Sequence, residues 1–345
     1  MTALETALGV TRVARVTGLD RAGIEVACAI RPGGHVLQVT NGKGDSWEEA
    51  RATALSEAAE LWAAERVRAS ELVHGSLDEL SGRAWAPRDL IAPRLWTRQT
   101  RIAWRRGQDL RTGREVLVPA QAVHCPPRGA PPLGPAVVRW STNGLGAHPS
   151  RAAAVRHALL EVYERHQLAR ALPRGWTPRA IRTRKLDVSG MALWGQLRDA
   201  RLEAHVFDLS SSQLPVVGAI LVDLEEGPVP LTAGYCCALT PGRAVRGALL
   251  EAAQSRLTEV HGAREDVLQE REVQQGLREA CEAAIPSKTL RDFQVNNVHL
   301  QRVNGVHEAQ VNVVHFGRAA VVELAREPLF VVKIYAPGMR VSGLL

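Results

Sequence analysis

The period of apolar and polar positions changes repeatedly along the chain, and the changes mark out alternating strands and helices. Residues 23–30 (Gly-Ile-Glu-Val-Ala-Cys-Ala-Ile) have the apolar, partly β-branched character of a strand. Arg31–Gly34 is a turn, and residues 35–40 read as a second strand. From Ser46 the spacing becomes helical. Ser46 and Glu49 form a capping box, and the helix they open is expected to run to about Arg66. Residues 102–124 predict a hairpin with arms 102–105 and 116–119 and a turn at Asp109–Gly113, followed by a Pro/Gly-rich loop at 126–135. Ser150 can cap a helix that begins in an alanine-rich turn. Two strands are expected within 202–224, and Thr240-Pro241 is a cap followed by proline at the first helical position. A polar helix at about 264–284 and a buried strand at 329–335 complete the pattern. Strands alternating with amphipathic helices define a mixed α/β (α+β) class, with no low-complexity tract dividing the chain into two domains.

Three of these helices carry the candidate chemistry. Glu57 and Glu60, Glu161 and Glu164, and Glu251 and Gln254 each stand three residues apart, on one helix face. The surrounding positions are mostly Ala, Leu and Val. Carboxylates beside an apolar stripe are costly unless something cationic meets them. One such pair is the ordinary solvated face of a helix. Here the first pair follows Thr40-Asn41-Gly42-Lys43-Gly44 and the second follows Ser141-Thr142-Asn143-Gly144-Leu145-Gly146. A repeated module of glycine-containing loop and Glu-x-x-Glu helix, joined by Glu251, points to a site for a hard divalent cation and phosphate.

Composition narrows the picture. With 345 residues the chain can bury a substantial core, and 4% aromatics means a core of Leu, Val and Ala. Lysine occurs only at 43, 185, 288 and 333 while every other basic residue is arginine, so Lys43 between two glycines stands out. The net charge of +7 permits an anionic partner without naming one. Five cysteines without a CxxC pattern suggest a reduced, cytoplasmic protein. No signal peptide is expected, and the longest apolar run, near 214–222, falls short of the ~20 residues a membrane span needs. The Arg- and Trp-bearing segment 94–106 could touch nucleic acid but reads better as an arginine-rich hairpin edge. Gly42-Lys43-Gly44 lacks P-loop spacing, no Gly-x-Ser-x-Gly elbow appears, and His157, His166 and His261 have no partner at metal-ligand spacing. Cys28 and Cys125 read as core thiols.

At these residues the chain resembles the YcaO family, from about residue 9 to 339. Gly9–Arg21 and Ala59-Glu60-Leu61-Trp62 resemble the subgroup that works with TfuA-type partners. Thr40–Gly44, Asn143-Gly144-Leu145 with Glu161-Val162-Tyr163-Glu164-Arg165, and Glu251-Ala252-Ala253-Gln254-Ser255-Arg256 match three family signatures in order. The resemblance implies a single YcaO domain over 1–345, with short extensions at 1–8 and 340–345. It implies an enzyme that uses ATP and Mg2+ to phosphorylate a peptide backbone amide oxygen after a nucleophile has added to the amide carbon. Sulfide would give a thioamide, an internal Cys, Ser or Thr an azoline, and an amine an amidine. Glu57, Glu60, Glu161, Glu164 and Glu251 would hold magnesium. Lys43, Thr53, Asn143, Arg165, Arg246, Gln254 and Arg256 would meet ATP and its phosphates; no residue is assigned as catalytic. The chain departs from the family at Gly247, where a basic residue is usual, and at Thr53, where serine is usual; it also lacks a proline-rich tail. Thioamide formation in a ribosomally made peptide or protein is the favoured expectation. The alternatives are an azoline-forming cyclodehydratase and a non-catalytic scaffold. A precursor peptide and a TfuA-like or peptide-recognition protein are the expected partners. A homodimer is compatible with the sequence, and neither membrane nor nucleic acid is expected.

Overall fold

The computed structural model describes residues 2–88, 90–171, 180–181, 188–210, 214–225, 227–265, 279, 281, 290–291 and 316–341. The chain opens with helix α1 (Ala3–Leu8), which Thr2 and Glu5 cap reciprocally. Among the described residues the strands form three sheets. The first is an antiparallel meander of β1 (Arg12–Arg15), β2 (Glu25–Ile30) and β3 (Val39–Gly44). In the second, β4 (Leu72–Gly75), β5 (Ile102–Asp109), β13 (Ala320–Ala325), β14 (Phe330–Tyr335) and β7 (Leu145–His148) lie in that order, with β6 (Glu115–Pro119) on β5. The third runs β11 (Leu231–Cys237), β10 (Val216–Asp223), β9 (Leu202–Asp208), β8 (Ala180–Ile181) and β12 (Leu290–Arg291). The hairpin, the strands at 202–224 and the last strand lie where the sequence places them. The polar helix expected at 264–284 lies almost wholly outside the described residues.

Three long helices wedge between the sheets in a cyclic order. Helix α2 (Trp47–Ala64) buries Ala50, Ala54, Ala58 and Ala59 between β2 of the first sheet and Ala147 and Val331 of the second. Helix α3 (Arg151–Ala171) buries Ala154, Ala158, Val162 and Tyr163 against Val332 and Ile334 of the second sheet and Phe207 and Ile220 of the third. Helix α5 (Pro241–His261) lies on β10 and β11, beside helix α4 (Val188–Asp199), and its Leu257 reaches Val26 and Cys28 of the first sheet. Alanine dominates these faces because each helix crosses a glycine of its own strand with almost no gap. A Cβ on Gly42 would fall 2.1 Å from Ala50 O, one on Gly146 2.4 Å from Ala154 O, and one on Gly234 2.1 Å from Ala252 N. Thr40 and Thr232 seal two of these crossings by donating to Ala54 O and Ala252 O at 2.9 and 3.1 Å.

Two local expectations are corrected. Residues 35–38 are not strand; β3, the third strand of the meander, begins at Val39 and carries Gly42-Lys43-Gly44 within it. Glu65, just past α2, captures the segment before it. Its carboxylate accepts from the amides of His35 and Val36 at 2.9 and 2.8 Å and is paired with the buried Arg31 guanidinium at 2.7 Å. Those amides therefore bond a side chain instead of a strand partner. The cap of α2 is also shifted: Ser46 Oγ accepts from Glu49 N, but Glu49 reaches back to the amide of Asp45, one residue earlier than a capping box requires.

Candidate active site

β3, β7 and β11 are edge strands, one from each sheet. An edge leaves backbone N–H groups without a ladder partner. Here the helix glutamates take several of them. Glu57 accepts from Asn41 N at 3.1 Å and Glu60 from Ala147 N at 2.9 Å. Glu161 accepts from Gly144 N at 3.3 Å, Glu164 from Cys237 N at 2.7 Å, and Glu251 from Tyr235 N at 3.3 Å. The first glutamate of each helix thus holds its own strand, or in α3 the loop that leads into it. The second, in α2 and α3, reaches the strand of the following module. This explains the i,i+3 spacing in physical terms: a helix seated between two sheet edges needs one acceptor toward each.

The same arrangement concentrates negative charge. Burial and the neighbouring Glu161 and Glu57 push the Glu60 carboxyl well above its usual range. Burial and Glu251 push that of Glu164 up to about 8. Lys43 and Arg165 oppose part of this excess. Lys43 Nζ donates to Glu251 at 3.0 Å, and although burial works against its charge, Glu251 outweighs burial and raises its pKa. Arg165 lies 3.9 Å from Glu161, one turn away on α3, and the glutamates likewise raise its pKa against burial. The carboxylates form two groups that share Glu161: Glu57, Glu60 and Glu161 on one side, Glu164 and Glu251 with Lys43 on the other.

The other predicted residues divide. Asn143 stands in the loop before β7, and its buried Oδ1 has no hydrogen-bond partner. Gln254 is half-buried one turn beyond Glu251, on the same face of α5. Arg246 is ion-paired with Asp45, at the end of β3. Thr53 Oγ1 donates to the carbonyls of Lys43 and Glu49, at 2.8 and 2.6 Å, so it anchors the α2–β3 crossing. Arg256 is not at the carboxylates. Its guanidinium is buried between Asp20 and Asp223, at 3.1 and 3.0 Å, and also donates to Val229 O. Five residues from Glu251, well past one helical turn, its side chain leaves on another face, where α5 meets the first and third sheets. Gly247 is explained by its neighbour, since a Cβ there would lie 2.3 Å from Cys236 Sγ. The residue the sequence reading passed over is Lys333, in β14. It is buried, donates to Ser141 O and Asn143 O, and its pKa is lowered by burial to about 8 against the pull of Glu161 and Glu60. Its signal was a rare lysine inside an otherwise apolar strand.

Hard oxygen donors crowded to the point of holding protons fit a divalent cation. Among the described residues no three His, Cys, Asp or Glu side chains stand close enough to enclose a metal ion by themselves. Mg2+ takes one or two carboxylates and completes its shell with waters and substrate phosphates. The arginines of segment 94–106 are largely committed: Arg98 pairs with Asp78 at 2.7 Å, Arg101 with Glu79, Arg106 with Glu115 at 3.9 Å, and Arg105 is buried. No helix among the described residues is long and apolar enough to cross a membrane.

Fold and site together define a mixed α/β protein whose three sheet edges present helix-borne carboxylates and two cations to one centre, a layout for a polyanion carried by a metal. The chain belongs to the YcaO family: the family model, described as YcaO cyclodehydratase, ATP- and Mg2+-binding, matches residues 41–340. A YcaO protein from Methanopyrus kandleri, whose structure was solved with AMPPCP and Mg2+, aligns over 97% of this chain and 87% of its own at TM-score 0.71 and 25% identity. A heterocyclase solved in complex with substrate and cofactor shares the fold at TM-score 0.74 and 18% identity, over 96% of this chain and 50% of its own. An uncharacterized protein of Methanothermobacter thermautotrophicus is 34% identical over 76% of this chain and 69% of its own length. A protein encoded in the region 3′ of tfuA in Rhizobium leguminosarum is 31% identical over 75% of this chain; this chain spans 64% of that relative. The expected family, fold class and cofactors agree with these findings.

Proposed function

We propose that this chain activates a peptide backbone amide with ATP and Mg2+ and exchanges its oxygen for sulfur, making a thioamide in a ribosomally made peptide. The observation that carries the ATP step is the pair of carboxylate groups anchored on three sheet edges, with Lys43 and Arg165 among them. When bound, ATP supplies the phosphoryl group that turns the amide oxygen into a leaving group, and Mg2+ carries the phosphates. The protein's part is positional and electrostatic. Glu57, Glu60, Glu161, Glu164 and Glu251 would hold Mg2+ through hard oxygens, one or two of them to an ion, with backbone amides fixing their orientation as second-layer donors. Lys43 and Arg165 would neutralise phosphate charge. Asn143, with its partnerless Oδ1, and Gln254 would accept or donate toward the nucleotide. Arg246 would steady the mouth of the site through Asp45.

The relative encoded beside tfuA supports the thioamide outcome and a TfuA-like partner. The heterocyclase neighbours and the family's description support a second reading, azoline formation by a Cys, Ser or Thr side chain of the substrate. Mass spectrometry of a precursor peptide incubated with the chain, its partner, ATP, Mg2+ and sulfide separates the two. Replacement of one oxygen by one sulfur is expected. Loss of one water at a Cys, Ser or Thr would overturn the thioamide reading while keeping the amide activation.

A further inference from the structure

Lys333 lies mid-strand in β14 and is 3% exposed. A buried ammonium is costly unless its protons find acceptors. Its Nζ donates to Ser141 O and to Asn143 O, both at 2.6 Å, and stands 5.7 Å from the centre of the Trp140 ring. The next residue, Ile334, donates its backbone N–H to Gly144 O at 2.8 Å, and Leu145 N closes the turn onto Thr142 O at 2.9 Å. The 141–144 loop is therefore fastened to β14 by a side chain and by a main-chain bond. The loop carries two groups of the site: the Gly144 amide that holds Glu161, and Asn143 with its partnerless Oδ1. Glu161 and Glu60 are also the carboxylates whose charge acts on Lys333.

We infer that Lys333 is a positioning residue of the nucleotide site, clamping the 141–144 loop so that Asn143 and the Gly144 amide stay registered on Glu161. What the loop is held ready for rests on the ATP–Mg2+ reading above; the clamp itself does not. Lysine suits the place because two carbonyls of one tight loop converge on a single point. A planar arginine fork spreads its donors and does not match that convergence. The chain uses arginine almost everywhere else, and both lysines within the described residues, Lys43 and Lys333, face the glutamates.

Hydrogen exchange of the nucleotide-free protein tests the clamp on a peptide spanning Trp140 to Leu145. In Lys333→Met the amides of Gly144 and Leu145 should exchange about tenfold faster or more, while β9 to β11 keep wild-type protection. Lys333→Arg keeps the charge and should loosen the loop likewise. Unchanged loop exchange in both variants overturns the clamp; so does failure of both to fold, which would make Lys333 a determinant of the fold. Titration with ATP and Mg2+ then tests positioning. Lys333→Met and Asn143→Ala should each weaken binding by about tenfold, and the double variant should bind no worse than the weaker single. Additive losses overturn positioning through Asn143. A wild type that takes up no ATP with Mg2+ would defeat the functional reading, while the exchange measurement would still decide the clamp.

Discussion

Glu164→Gln should stabilise the ligand-free protein. Burial and Glu251 raise the Glu164 carboxyl from its ordinary 4.5 to about 8. A carboxyl raised in the folded state costs nothing below pH 4.5, where both states are protonated. Stability then falls as pH rises toward 8, because the unfolded chain ionises and the folded one resists; above that the cost is constant. At about 1.4 kcal/mol per unit the full shift bounds the cost at about 4–5 kcal/mol, and partial solvent access beside Arg165 reduces it to roughly 1–3 kcal/mol. Glutamine never ionises and still offers an oxygen to the Cys237 amide. Thermal unfolding in the presence of a chelator should therefore show the variant a few degrees more stable than wild type at pH 8.5, at about 2 °C per kcal/mol for a chain this size. The two should nearly coincide at pH 5. With ATP and Mg2+ the order should reverse, since only wild type gains a ligand. A variant less stable than wild type at pH 8.5 without ligand would refute the reasoning and make Glu164 a structural anion satisfied by Arg165.

Binding of ATP with Mg2+ should release protons, because Glu60 and Glu164 resist ionisation until a cation arrives; calorimetry in two buffers of different ionisation enthalpy should show it near pH 7, fading above pH 8. Arg256→Met should destabilise by about 3–5 kcal/mol in urea unfolding by leaving the buried Asp20 without the guanidinium it pairs with and Asp223 with Arg21 alone, with nucleotide affinity of the folded fraction unchanged. Gly247→Ala should cost about 1–3 kcal/mol through its clash with Cys236 Sγ, and Cys236→Ala should recover part of it, both read from melting curves.

Much of this was legible in the sequence because local signals and tertiary structure agree. The Ser46 and Thr240 caps, the Glu-x-x-Glu spacing and the apolar strand at 329–335 each express a period that folding preserves. What escaped depends on contacts distant in sequence. Residues 35–38 read as strand by composition, yet Glu65 takes their amides. Arg256 looked like a phosphate ligand because it follows Glu251 and Gln254, but Asp20 and Asp223, on other elements, claim it. Lys333 gained its place only when β14 came to lie beside the 141–144 loop. The cyclic seating of α2, α3 and α5 between sheets likewise rests on contacts distant in sequence, with the repeated alanines, the strand glycines and the glutamate spacing as its traces.

Calorimetric titration of ATP with Mg2+ into wild type, Glu60→Gln and Glu164→Gln tests the central claim most directly. Saturable, magnesium-dependent binding to wild type is expected, with a large loss in both variants and intact folding. Absence of binding to wild type, alone and with its partner, or undiminished binding in both variants, would contradict it.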